Sequence, residues 1–425
     1  MNKKLGLAVA GALVAFSSAA NAGITIPAGD WTVDIGGVVN AYYTSTNVSG
    51  SLAHGTAPLG VAQPTVGNTA SSITTGLLPN YLAVSGKSRQ NDLDIAFTIS
   101  LNPGGATVNA LDQSSHQENR QAFVTVGDAS WGSVKLGKDL GIFASDAILN
   151  DMTLLGVGSN AGALSGASNT TTTGRIGTGF IYADWKEQIA YTSPNWNGFQ
   201  FTAGVTNAFN AAADADAGGA HSTGRGGSEP AFEGKASYSF TADQVTGKVW
   251  VSGISQKVEG LTNAVAGSIA AGGNTVTGYA ANTATNTKDR ADAFDIGATA
   301  TFAGINLVGY YYDGSGIGQT GQLHGGFDAT GKSRDSNGGY VQATYVLPTS
   351  TKVGVSWGES NLDGNSGEAF KSLKDEMWTV GAYHPLTKSL NLVAEYSYTT
   401  RQLETTSATT EGKSKTVALG AILFF

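Results

Sequence analysis

The chain has 425 residues, of which 59 are glycine, nine proline and none cysteine, and its 32 Asp and Glu outnumber 24 Lys and Arg. Glycine at about twice the average ~7% without a Gly-X-Y repeat excludes a collagen, absent cysteine excludes a disulfide scaffold, and 41% hydrophobic residues exclude a disordered chain. With no apolar run of about 18 residues to make a membrane helix, and no basic stripe to hold nucleic acid, what remains is a large glycine-rich all-β protein.

The first 22 residues carry Lys3 and Lys4, an apolar stretch from Leu5 to Phe16, and small residues ending Ala20-Asn21-Ala22. A basic start, a short apolar centre and an A-x-A end make a secretory signal peptide over 1–22, with 23–425 as a single domain. Export from a cysteine-free chain points to a bacterial protein that crosses the inner membrane.

From there the hydrophobic period is two, the mark of strands with two unlike faces. Phe199, Phe201, Ala203 and Val205 alternate with Gln200, Thr202, Gly204 and Thr206. Phe232 alternates with Glu233, and Phe294 and Ile296 with Asp295 and Gly297. Leu392, Ala394 and Tyr396 alternate with Val393, Glu395 and Ser397. Sixteen such segments begin near residues 31, 79, 92, 118, 132, 185, 198, 231, 244, 292, 305, 339, 351, 375, 389 and 415. Short connections alternate with long polar ones near 47–78, 102–117, 139–177, 208–230, 258–290, 314–337, 361–374 and 401–414. This describes an all-β, up-and-down antiparallel barrel with both termini on the short-turn side.

A soluble sandwich also alternates, but it turns its apolar face to a dry core. Segments of about 9–11 residues match a tilted membrane-crossing strand. Aromatics gather at segment ends (Trp31, Tyr42, Tyr43, Trp185, Trp196, Tyr310, Tyr311, Tyr396, Tyr398 and Phe424), as interfacial girdles require. The expected fold is therefore a transmembrane β-barrel.

The last segment places Val417, Leu419, Ala421, Leu423 and Phe425 on one face and ends on the aromatic. That ending resembles the assembly signal of outer-membrane barrels. The runs Asn119-Arg-Gln-Ala-Phe-Val-Thr-Val and Trp131-Gly-Ser-Val-Lys-Leu-Gly-Lys resemble the fourth and fifth strands of Gram-negative general porins. Ile189-Ala-Tyr-Thr-Ser-Pro-Asn-Trp-Asn-Gly-Phe199 is similar to their next hairpin. The resemblance implies a trimeric, sixteen-stranded outer-membrane porin with periplasmic termini and a third loop, near 139–177, folded into the pore. It further implies passive diffusion of small hydrophilic solutes and ions, contact with lipid and lipopolysaccharide, and insertion by the barrel assembly machinery through the C-terminal strand.

On that resemblance Asp139, Asp146 and Asp151 are the acidic residues of the pore constriction, and Arg120, Lys135 and Lys186 the basic residues of the facing wall. Parity places Lys135 and Lys186 inward; Arg120 shares parity with Ala122, Val124 and Val126, so its assignment rests on the family match. Two positions depart from the family: Asn80-Tyr81-Leu82 stand where the second strand carries an arginine, and Thr153-Leu-Leu-Gly replaces the loop's second carboxylate. Both weaken a transverse field. The acidic balance leans toward cations. An alternative reading is a substrate-specific channel or receptor barrel, with inward aromatics such as Tyr42 or Trp250 lining the path.

Two nucleotide-binding patterns fail on context. Gly326-Phe-Asp-Ala-Thr-Gly331-Lys332-Ser333 has the letters of a phosphate-binding loop and Gly316-Ile-Gly318-Gln-Thr-Gly321 those of a dinucleotide fingerprint, but no helix follows either. The five histidines are scattered without metal-ligand spacing. No enzyme, cofactor, metal or nucleic acid is expected.

Overall fold

The computed structural model describes residues 23–50, 68–104, 117–161, 171–214, 216–263, 265–266, 269–271, 274–276, 279–280 and 287–425. The signal peptide over 1–22 lies outside them, as do parts of the long connections near 47–78, 102–117, 139–177 and 258–290.

Among these residues sixteen strands form the barrel wall. They are β1 (Trp31–Gly50), β2 (Tyr81–Gln90), β3 (Leu93–Pro103), β4 (Ala122–Asp128), β5 (Gly132–Leu140), β6 (Trp185–Thr192), β7 (Phe199–Thr206) and β8 (Ala231–Ala242). The second half comprises β9 (Val245–Asn263), β10 (Thr287–Phe302), β11 (Ile305–Ser315), β12 (Asp335–Val346), β13 (Lys352–Asp363), β14 (Phe370–Pro385), β15 (Leu390–Thr405) and β16 (Thr409–Phe424). Each pairs antiparallel with its neighbour in sequence. The cylinder closes where β16 pairs with β1, from Val38↔Phe424 to Gly50↔Gly412. Beside that seam Gly37 and Phe425 exchange backbone hydrogen bonds of 2.8 and 3.1 Å. Closure leaves no edge, the condition for a sheet to cross lipid.

The faces decide between sandwich and membrane barrel. The outward positions are apolar and bare: Ile296 is 55% exposed, Val341 56% and Leu419 52%. The inward positions are polar and covered, among them Thr44, Asp295, Ser356, Thr379 and Thr399. A soluble protein has the reverse arrangement.

The short turns follow local chemistry. Asn91 and Asp92 have φ of 50° and 62°, and Ala303 and Gly304 have 49° and 81°, the paired positive values of a two-residue hairpin turn whose twist matches the strands.

Three expectations are corrected. β10, β12, β14 and β16 begin at 287, 335, 370 and 409, four to six residues before the expected starts. The connections expected at 361–374 and 401–414 accordingly shrink to 364–369 and 406–408. Above the lipid both faces of a strand meet polar surroundings, so it continues without apolar alternation. Third, not every aromatic at a segment end belongs to a girdle. Tyr43, Trp196, Tyr311 and Tyr396 face outward, whereas Tyr42, Tyr310 and Phe424 point inward and are buried.

Candidate functional site: a constricted channel

After β5 the chain turns into the barrel. Residues 141–184 form loop 3, with a one-and-a-half-turn helix, α1 (Ser145–Asn150), followed by a 3-10 turn over Met152–Leu155. Elements this short do not hold themselves together, so the wall must hold the loop. Near its start, Glu233 of β8 accepts the N–H groups of Ile142 and Phe143 at 2.7 and 2.8 Å, and Asp295 of β10 accepts that of Ala144 at 3.1 Å. In the middle, the Tyr340 hydroxyl donates to the Ala147 carbonyl, and Gln342 bonds both Met152 N–H and the Asn150 carbonyl. Further on, Glu395 of β15 accepts Val157 and Gly158, and Tyr42 of β1 donates to the Leu155 carbonyl. Backbone groups that would be orphaned in the lumen are thus satisfied by the wall. Apolar contact adds to this, since Phe143, Ala147, Ile148, Met152 and Val157 share one cluster with Trp250, Tyr310 and Tyr340.

Between β1 and β2 the wall's ladder is interrupted, and a side chain stands in for it. Asn40 donates to the Leu78 carbonyl and accepts from the Gly76 N–H, both at 2.9 Å, while its own N–H donates to Asn80 Oδ1 at 2.6 Å. This sets Leu77 and Leu78 against loop 3.

The expected site residues fall into two groups. Asp146 leaves α1 toward the far wall and lies 2.8 Å from Lys235 of β8 and 2.5 Å from Lys248 of β9. Burial pushes its carboxyl up, and the two lysines outweigh that and hold it below the usual aspartate value. Asp151 caps the 3-10 turn through Thr153 and faces Arg175 at 4.0 Å, both side chains fully buried. There burial wins over the arginine and raises the Asp151 carboxyl. Asp139 lies in β5 and not in the loop, paired with Lys135 four residues earlier on the same strand and accepting from Gln121. Lys186 is fully buried against Glu233 at 2.7 Å. None of these five lines the cavity left between loop 3 and the wall.

Arg120 does. From Ile99↔Ala122 to Asn102↔Glu118 the partner chain takes four steps against three along β3. The extra residue shifts the alternation, as in a β-bulge. Arg120 thus reaches the lumen despite the parity of its neighbours. It pairs with Glu118 at 2.7 Å and lies over the Trp185 ring. It borders a cavity of about 790 Å³ enclosed by the β2–β5 wall, loop 3, Phe209 and the 320–322 stretch.

A second connection folds inward as well. Residues 316–334, between β11 and β12, cover the lumen beside loop 3: the Tyr182 N–H donates to the Thr320 carbonyl, and Gln319 donates to that of Ser360. Leu323 and Phe327 are buried with Ala211, Val258 and Leu261. This is the segment with the nucleotide-binding letters. Asp328 closes a tight turn onto the N–H groups of Thr330 and Lys332, and the chain then enters β12, so no helix N-terminus exists to meet phosphate.

The clasps themselves were not anticipated. Glu233, Asp295 and Glu395 stand at polar inward positions that alternation marks, but a wet lumen is full of such positions. Nothing in the sequence tells a carboxylate that bonds a loop 238 residues away from one that meets water.

A closed barrel, apolar outside and polar inside, with a loop drawn in beside an open path, defines an outer-membrane β-barrel channel. The sequence model described as Gram-negative porin matches residues 8–402, and the chain belongs to that family. It forms a channel for passive diffusion in the outer membrane of a Gram-negative bacterium. Solved structures agree in fold. The outer-membrane channel DcaP of Acinetobacter baumannii superposes with a TM-score of 0.63 at 13% identity, over 94% of this chain and 99% of that one. The anion-selective porin of Comamonas acidovorans gives 0.55 at 14% identity over 93% and 100%. Salmonella typhi OmpF gives 0.55 at 13% over 95% and 100%. No curated protein matches the sequence.

Proposed function

We propose that the protein is a trimeric general-diffusion porin that works without chemistry: the barrel supplies the passage, and loop 3 sets its width. The observation that carries this reading is the clasped loop, since a loop bonded to the wall at its start, middle and end makes a fixed constriction. In it Asp146 and Asp151 act as anchors, Asp139, Lys135 and Lys186 as packing charges of the wall, and Arg120 as the basic group that permeating solutes meet. A neighbour solved in a trimer form, OmpT of Vibrio cholerae with a TM-score of 0.52 at 13% identity, supports the trimer.

Residues 1–22 serve as a signal peptide, and the termini lie on the periplasmic side. Val417, Leu419, Ala421, Leu423 and Phe425 make the outward face through which the assembly machinery recognises the chain, and the long-loop end meets lipopolysaccharide. The reading includes no catalysis, in keeping with five histidines scattered along the sequence without metal-ligand spacing.

Planar-bilayer recording of the purified protein tests the reading. Steps with an ohmic, weakly selective conductance in KCl are expected, grouped in threes, with a heat-labile oligomer on gels. A silent bilayer would overturn it.

A further inference from the structure

The charged groups bordering the cavity cancel: Glu118 and Asp184 stand against Arg120 and Lys138. His324, in the connection between β11 and β12, borders the same cavity. Among the described residues there it is the only histidine, the side chain that ordinarily changes charge between about pH 5 and pH 8. A proton on this ring therefore decides whether the bordering charges sum to zero or to one positive charge. The backbone holds the residue in place on both sides. The Ala212 N–H donates to the Leu323 carbonyl at 3.3 Å, and the Gly325 N–H donates to the Ala212 carbonyl at 2.7 Å. Leu323 takes a φ of 67°, in the left-handed region that a leucine rarely adopts. Leu323 and Gly325 are buried, and His324 between them is exposed. Strained backbone of this kind gathers where a side chain has to be aimed.

We propose that His324 sets the ion preference of the channel: neutral, it leaves the passage balanced in charge, and protonated, it turns the passage toward anions. This rests on the porin reading, under which the cavity beside loop 3 is the passage. The groups that face the ring are Asp184 at the end of loop 3, and Asp214 and His221 in the connection between β7 and β8. The protein packed around the ring holds its pKa below the ordinary 6.5, and the two aspartates act the other way. Arg334, on the same connection as His324, is engaged by Glu368. A single charge matters here because a narrow passage walled by protein brings each ion within its reach.

The test is the zero-current potential of the full-length mature protein in planar bilayers, across a gradient from about 0.1 M to about 0.01 M KCl, where a charge reaches ~10 Å or more. Readings at about pH 7.5 and about pH 5 bracket the titration. In the wild type the chloride-to-potassium permeability ratio is expected to rise about threefold on acidification. His324→Gln should hold the neutral value at both pH values, and His324→Arg the acid value at both. His221→Gln should leave the rise in place. In about 1 M KCl a charge is screened within ~3 Å, so step size stays constant over this range and the dilute gradient is what reveals the residue. A wild-type ratio that does not change with pH would overturn the proposal with no variant needed. A rise that persists in His324→Gln would overturn it as well, by assigning the effect to another group. Both results leave the porin reading intact, because the KCl current remains. Absence of any KCl current would instead refute the porin reading, and the proposal with it.

Discussion

The Glu395 carboxylate accepts the backbone N–H of Val157 at 2.7 Å, joining strand β15 to a loop 238 residues earlier in the chain. The same oxygen accepts Gly158 at 2.9 Å, and the other accepts the Tyr383 hydroxyl at 2.5 Å. Gly156 makes room for it: a Cβ there would stand 2.1 Å from Glu395 Oε1. Hydrogen bonds to a charged group contribute roughly 1.5–3 kcal/mol each, more than enough to hold a loop that forms little structure of its own. Glu395→Ala is therefore expected to free the loop tip and give noisier single-channel steps of altered size. Gly156→Ala should produce the same noise from the other side of the contact. Quiet, wild-type steps in both variants would show that the loop is held elsewhere.

Asp146 makes the constriction sensitive to strong acid and insensitive to mild acid. Its folded-state pKa lies below the ordinary 3.8, so its contribution is fully present above that value and is lost as pH falls through the lower folded one. Conductance is expected to stay constant from neutral pH down to about pH 4 and to change only below it. Asp146→Asn should remove the seat at every pH and cost about 2 kcal/mol, less than a fully buried pair because Lys235 and Lys248 are partly exposed. Recording single channels of both proteins from pH 7 to pH 3 checks this. A wild-type transition near pH 6 would point to another group.

The barrel was legible in the sequence because lipid and lumen impose opposite demands on alternate residues, as at Phe294, Asp295, Ile296 and Gly297. Strand starts that follow short turns, such as 132, 199 and 305, fall within a residue of the expected ones. Of those that follow long loops, 185 and 231 coincide, whereas 287, 370 and 409 begin early, because no lipid enforces alternation at that end. Loop 3 as an inward loop came from resemblance alone. The direction of its charges did not follow from it, since Asp146 points where Lys235 and Lys248 draw it, and those lysines lie about a hundred residues away. Parity alone did not place Arg120 inward for a local reason, the extra residue before β4, and its assignment came from resemblance.

Asp151 and Arg175 form the loop's one fully buried charge pair among the described residues, 4.0 Å apart. Arg175 also donates to the carbonyls of Thr178 and Met377, which places it without help from the aspartate. Removing one partner of such a pair leaves the other charged in a dry site, at roughly 3–5 kcal/mol, whereas replacing both by apolar residues is often neutral. Arg175→Met is expected to destabilise the barrel by about 3 kcal/mol, and Arg175→Met with Asp151→Leu to recover most of it. The pH dependence runs opposite to that of Asp146. A raised folded-state pKa gives stability present below the unfolded value and lost as pH rises through the folded one. The Arg175→Met penalty should therefore shrink as pH falls and Asp151 takes a proton. Unfolding in urea, followed by the gel shift of the folded barrel at two pH values, measures each term, and additive single-mutant effects would show that the pair is not coupled.

Ile296 tests the membrane face itself. It stands in mid-strand on β10, 55% exposed, in register with Val251 on one side and Tyr311 on the other, which are likewise exposed. In water a lysine at such a position would cost almost nothing, because the site has no packing to lose. In lipid a lysine at the midplane of a barrel costs about 2–4 kcal/mol, falling toward zero near the interfaces. Ile296→Lys is expected to lose about that much stability when refolded into lipid vesicles, and Asp295→Asn on the opposite face to act instead through Ala144 and loop 3. Measuring both variants in vesicles and in detergent separates the two faces. The Ile296→Lys penalty should be larger in the bilayer, where the lysine cannot find water, and a penalty absent in vesicles would mean that this face does not meet lipid.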